Sequence, residues 1–396
     1  MAGSAGFWLL AKLSGGMVCG VALGLCVNES VMAIIHTGKT LIGGVVFFVI
    51  PLVIFGFIAP TVLSLKASAG RMLGSFLVLS YLSSVGASLF ATAMGRVVIP
   101  YLRIPRTVEG LRTIPKVIFT LEIPSLMPVV TALAFALLVG LSALWVKARA
   151  VEQVLYEFRR MMGEAISRVL VPLLPFFVAA TFAELAYSGS LTRQLPLFAK
   201  VVAVVIVGHL LWLCVLYLVG WILSRKNPFE VLRHYGAAYA TALGTMSSAA
   251  TLPVSLQCAH KSRALPAEIV DFAIPLGATT HLCGSVLTET FFCLTIAQML
   301  YGSMPSLADM VLFSCLFGIF AVGAPGVPGG TVLASLGLVL DVLHFDTTGT
   351  GLLIAIFALQ DSFGTACNIT GDGALALMLR GLRYTLRANC VGREEK

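Results

Sequence analysis

Four polar residues near the end of the chain have a spacing that chemistry can use. In QDSFGTACNITGD, residues 360–372, Asp361, Thr365, Asn368 and Asp372 stand four, three and four apart. On a helix that interval places them on one face, with Gly364 in the same row. The apolar run GLLIAIFAL precedes them and GALALMLRGLRY follows, so the face lies inside a long apolar segment. A carboxylate at membrane depth needs a cation or an ammonium group beside it, and here there are two. Either each polar group is satisfied by a neighbouring helix, or the face is one wall of a ligand site. The pair of carboxylates favours the ligand site.

Three other stretches carry complementary chemistry. TMSSAATLP, 245–253, offers hydroxyls and open backbone N–H groups at a helix start, with Pro253 suited to the first turn. Such a terminus attracts carboxylates. GAPGVPGG, 323–330, does the same with backbone alone, and its glycines let the chain approach a ligand closely. GATTHLCGS, 277–285, breaks a long apolar segment, where freed carbonyls suit a small hard cation. No spacing of Ser, His and Cys assembles a nucleophile with a base, so no enzyme is expected.

The elements that must hold these stretches are membrane helices. Of 396 residues, 58% are hydrophobic and 11% charged, and the mean hydropathy is +0.98. Soluble domains lie near ~45–50% and ~25%. Six segments read as spans: 5–27, 40–65, 72–100, 127–147, 166–188 and 196–224. The first of these reads as a span rather than a cleavable signal peptide. Two interrupted segments follow, 229–261 and 308–345, alternating with two long spans, 266–299 and 349–380. A short apolar pair around a polar or glycine-rich tip cannot hold that tip in lipid, so each reads as a re-entrant hairpin. Paired hairpins beside broken helices are the pattern of a secondary transporter with inverted repeats.

Charge sets the orientation. With the N-terminus inside, the inner segments hold Lys66 and Arg71, then Lys147, Arg149, Arg159 and Arg160, then Arg225, Lys226 and Arg233, then Arg383 and Arg387. The turns near 300–308 and 341–348 carry no Lys or Arg, as the positive-inside rule expects. The basic stretch 95–116 is the one departure. Helix-end clustering also explains the net charge of +8 without nucleic acid. The nine cysteines, with no CxxC pair, read as small buried hydrophobes.

The motifs SSAATLPVSL, IPLGATTHLCGS, GVPGG and QDSFGTACNITGD, in that order, resemble the dicarboxylate/amino acid:cation symporter family, the glutamate-transporter fold. The likeness is tight from about 240 to 382 and includes VIPLVIFGFIAPTVLSL earlier. QDS and SSAA are similar to its bacterial serine/threonine branch. The resemblance implies an all-α polytopic protein of eight transmembrane helices plus two re-entrant hairpins, with inverted repeats and an elevator movement. It implies scaffold helices in 1–70 and 101–190, transport-domain elements in 71–100 and 191–382, and a cytoplasmic tail, 383–396. A homotrimer in a bacterial inner membrane, both termini cytoplasmic, is the matching assembly.

The same resemblance assigns roles. Substrate would lie among Ser247, Ser248, Val327, Gly329, Asp361, Gly364, Thr365 and Asn368. Asp361 would hold its ammonium group and Asn368 its carboxylate. Gly364 stands where acidic-substrate members carry an arginine, and Met246 replaces a tip arginine of some members, so a neutral amino acid such as serine, threonine or alanine is expected. An acidic amino acid or C4-dicarboxylate is the alternative. Sodium, the coupling ion, would meet Asp372 with carbonyls of Gly277, His281 and Asn368, and a second site would lie near Thr279. His281 and Cys283 replace the Asn and Asp of a third site, which argues against a third sodium, although Ser83 and Ser84 could line that region. Glu289 stands at a position linked to proton coupling. His281 is a second titratable group, more simply read as a packing residue. No cofactor beyond coupling ions is implied.

Overall fold

The computed structural model describes residues 2–63, 70–102, 114–121, 123–124, 126–189, 191–324, 326 and 328–394, and these residues are almost wholly helical. The first group comprises α1 (Ala2–Cys26), α2 (Glu29–Leu63), α3 (Gly70–Val98), α4 (Val129–Trp145), α5 (Arg149–Ala165) and α6 (Val171–Tyr187). A single π turn, Ile166–Leu170, joins α5 to α6, making a helical run from Arg149 to Tyr187. The second group begins with α7 (Leu191–Ser224) and the short α8 (Phe229–Leu232). The first hairpin is α9 (Gly236–Thr245) and α10 (Ser248–His260). Then come α11 (Ala267–Thr280) and α12 (Cys283–Leu300). The second hairpin is α13 (Leu307–Gly323) and α14 (Gly330–Asp341), and α15 (Thr347–Glu394) closes the chain.

Several helices are long and apolar enough to cross a membrane, among them Met72–Leu102, Arg149–Tyr187, Phe198–Ser224, Ala267–Leu300 and Thr347–Arg383. The outward side chains of α7, including Leu210, Leu211, Leu218, Trp221 and Ile222, are exposed apolar groups. That surface is stable in hydrocarbon and costly in water. Prolines lie inside α2, α6, α10 and α11, which membrane helices tolerate more readily than soluble ones.

Packing divides the helices into two sets. In one, α1 lies along α6, and α2 packs on α4, α5 and α6. The α1–α6 contact depends on small residues: a Cβ at Gly20 would sit 2.1 Å from the carbonyl oxygen of Ala179, and one at Gly24 2.2 Å from that of Ala183. Such backbone contact is how membrane helices gain dispersion energy without a hydrophobic drive. A buried ion cluster ties α2 to α6, with Lys39 Nζ 2.5 Å from Glu184 Oε2 and His36 Nδ1 2.7 Å from Oε1. In the other set, α12 is buried on every face from Cys283 to Ala297 and packs between α3 and α15. A helix buried all round is the centre of its unit. Helices α7, α13 and α14 also touch it, while α9 and α11 pack on α15.

Candidate functional site

The four polar residues of the α15 face are all buried: Asp361, Thr365, Asn368 and Asp372. Opposite them the α11–α12 helix breaks at His281 and Leu282, where His281 turns extended at φ −121° and ψ 105°. The break leaves the first N–H groups of α12 without helical partners. Asn368 meets them. Its Oδ1 accepts from Gly284 N at 2.7 Å and Ser285 N at 3.3 Å, and its Nδ2 donates to Ser285 Oγ at 3.0 Å. With Oδ1 accepting from two backbone donors and Nδ2 donating to Ser285 Oγ, the amide orientation is fixed by the network, and one N–H of the NH2 group is left over. Gly364 lies against this turn: a Cβ there would be 3.2 Å from the Ser285 Cα and Oγ.

Both hairpin tips converge on this region. Ser247 caps α10, accepting from Ala250 N at 3.3 Å, while Met246 before it takes the left-handed conformation that turns the chain. Ser247 Oγ donates to the Gly326 carbonyl at 2.8 Å, so the first tip touches the second. Ser248 opens α10 and is buried. Gly329, at φ 72°, caps α14, and its N–H donates to Asp361 Oδ2 at 2.7 Å. A positive φ at that cap is what lets the amide turn toward the carboxylate. Val327 lies outside the described residues.

A second polar centre lies one helical turn beyond. Asp372 is wholly buried; its Oδ1 accepts from His281 Nδ1 at 2.9 Å, and its Oδ2 has no partner. A buried carboxylate oxygen with no donor carries a desolvation cost that a cation would remove. Gly277 packs against it, since a Cβ there would stand 2.6 Å from Oδ1. The other ring nitrogen of His281 lies 2.9 Å from Ser83 Oγ. Thr279 is elsewhere: it is exposed, and its hydroxyl donates to the Leu276 carbonyl of its own helix at 2.9 Å. Glu289 is buried within α12, bonded to Ser335 of the second hairpin through Oε1, with Oε2 unpartnered.

This geometry can be set beside known proteins. A family model described as the sodium:dicarboxylate symporter family matches residues 9–382. The chain belongs to that family. A human protein named neutral amino acid transporter B(0) is 32% identical over 208 residues, covering 52% of this chain and 37% of that one. The mouse protein named excitatory amino acid transporter 1 is 29% identical over 227 residues, covering 56% and 41%. The human protein named excitatory amino acid transporter 2 is 32% identical over 180 residues, covering 46% and 31%. The matched stretch therefore spans less than half the length of each relative. The family is one of transporters rather than enzymes, and the apolar helices make this member a multi-pass membrane protein.

In this symporter-family chain, Asp361, Asn368, Ser247, Gly329 and Gly364 come together around the broken helix and the tips. Gly277, His281 and Asp372 form the neighbouring centre. Sequence reasoning passed over Ser285, which fills the space facing Gly364, and His209, which lies behind the first turn of α12. It also passed over Gln360, fully buried with neither amide atom partnered. The available signal was a polar residue inside an apolar run: Ser285 closes the GATTHLCGS stretch, and His209 stands alone in the apolar run of α7.

Proposed function

We propose that the chain is a sodium-coupled symporter that imports a small neutral amino acid of the serine, threonine or alanine kind. What carries this reading is the pairing of Asp361 and Asn368 on one buried helix face, with no cationic side chain at Gly364 between them. The Asp361 carboxylate offers the charge an ammonium group needs, and the Asn368 NH2 offers a donor to a carboxylate. A second substrate carboxylate would be desolvated with nothing to offset it. Sodium is cargo here, drawn to the unpartnered oxygen of Asp372. The Asp361–Gly329 bond links the proposed ammonium site to the second hairpin, so ammonium binding and tip ordering would be coupled. A homotrimer in a bacterial inner membrane, with both termini cytoplasmic and a moving transport domain, is the assembly in which this would work.

Similarity to excitatory as well as neutral amino acid transporters supports a second reading, an acidic amino acid or C4-dicarboxylate symporter driven by sodium or protons. Proteoliposomes with sodium and proton gradients imposed separately decide between them. Labelled serine, threonine or alanine accumulating under a sodium gradient is the expected result. Aspartate or succinate accumulating instead overturns it. Uptake driven by the proton gradient would point to Glu289 as the group that exchanges the proton.

A further inference from the structure

α7 crosses the apolar layer with one histidine at its middle. His209 is 3% exposed, and a buried polar ring at that depth is costly unless its nitrogens are engaged. Its Nε2 lies 3.0 Å from the carbonyl oxygen of Gly284 and 2.9 Å from Thr288 Oγ1. A carbonyl only accepts, so Nε2 carries the hydrogen. Gly284 and Thr288 are four apart, on one face of α12, so the ring bears on the first two turns of that helix. Gly284 is also the residue whose N–H donates to Asn368 Oδ1. The first turn of α12 is therefore held from two sides, by α7 behind and by α15 in front. It needs holding, because the break at His281 and Leu282 leaves it without a continuous helix N-terminal to it.

We infer that His209 is a positioning residue for the substrate site. It fixes the Gly284 turn, and that turn fixes the orientation of the Asn368 amide. The inference rests on the proposed role of Asn368 as the partner of the substrate carboxylate. His209 itself lies behind the turn and meets substrate only through Gly284 and Asn368. A shift of about 1 Å in such a group can cost about a hundredfold, so an anchor outside the site matters to it.

Uptake kinetics of the full chain in proteoliposomes test this with His209→Phe, His209→Gln and His209→Asn. Phenylalanine fills the space without a donor and should raise the substrate KM by about tenfold, leaving Vmax and the sodium KM within about twofold. Glutamine, whose amide reaches the Gly284 carbonyl, should restore the substrate KM to within about threefold of the original. Asparagine, one methylene shorter, should behave like phenylalanine. If the phenylalanine variant does not reach the membrane, the glutamine and asparagine pair gives the same comparison. An unchanged substrate KM in every variant overturns the inference, as does a loss of Vmax alone or an equal rise in both KM values. Uptake by the unaltered chain is read separately, so failure of the proposed function is distinguishable from failure of this role.

Discussion

At the scale of single residues, charge and its absence decide what the site can hold. Asp361 and Asp372 lie on one face of α15, but the structure gives them different partners. Asp361 already accepts one backbone N–H, whereas Asp372 keeps one oxygen bare. Replacing Asp361 by Asn keeps the shape and removes the charge, so uptake of labelled amino acid should fall below detection while the protein still inserts. Replacing Asp372 by Asn should act on the ion instead. Losing one charged partner from a buried pair costs about 3 kcal/mol or more, so the sodium KM should rise by about a hundredfold. Sodium titration of uptake at saturating substrate reads it. These residues were legible in the sequence because polar groups at helical spacing inside an apolar run are rare and expensive. His281 was legible only in part: its backbone was expected beside the cation, whereas its ring bridges Asp372 and Ser83. Which way a side chain turns at a helix break depends on packing across three helices, and one sequence does not contain that.

At the scale of elements, the hairpins and the broken helix follow from composition, since glycine, serine and proline cannot sit as loops in lipid. The tip-to-tip contact through Ser247 and Gly326 was not readable, because it depends on how two hairpins far apart in sequence meet. α5 was missed for another reason. Its sequence, RAVEQVLYEFRRMMGEA, buries only Leu155 and interleaves charges, one of which, Arg159, lies over the Phe57 ring, so it contains no long apolar run. Amphipathic helices announce themselves by period, not by mean hydropathy. The start of α2 was missed likewise: the helix begins at Glu29, and the polar His36 and Lys39 inside it made the span look shorter. Those residues meet Glu184 of α6, and the cluster makes a prediction about helix packing. Glu184→Gln leaves the Lys39 ammonium buried without its counter-ion and should destabilise the protein by about 3–5 kcal/mol. Lys39→Met combined with Glu184→Leu should recover most of that loss. Thermal melts of the detergent-purified protein, single variant against double, measure it. A double variant as unstable as the single would mean the cluster does more than satisfy its own charges.

At the scale of the whole molecule, the two packing sets meet at several helix pairs, among them a close approach of α15 to α6. Gly351, early in α15, faces α6 of the other set. A Cβ there would stand 2.7 Å from Thr181 Oγ1 and 3.3 Å from the Phe177 ring. Thr181 cannot easily yield, because its hydroxyl already donates to the Phe177 carbonyl at 2.9 Å. Gly351 is ten residues before Asp361, which on a helix is about 15 Å from the binding face. If the two sets move past each other, a change here would alter that movement without touching the proposed ligand site. In an elevator, α15 must slide along α6 in each cycle, and a larger side chain at 351 would raise the barrier to that slide. Gly351→Val should lower Vmax by about tenfold or more, equivalent to about 1.4 kcal/mol in the translocation barrier. Substrate affinity, measured by calorimetry on the purified protein, should stay within about twofold of the original, because the Asp361 and Asn368 contacts are unchanged. If affinity and Vmax fall together, α6 and α15 belong to one rigid unit and the moving boundary lies elsewhere. An undiminished Vmax would show that this contact opens before transport, so that the close packing belongs to a resting state of the symporter.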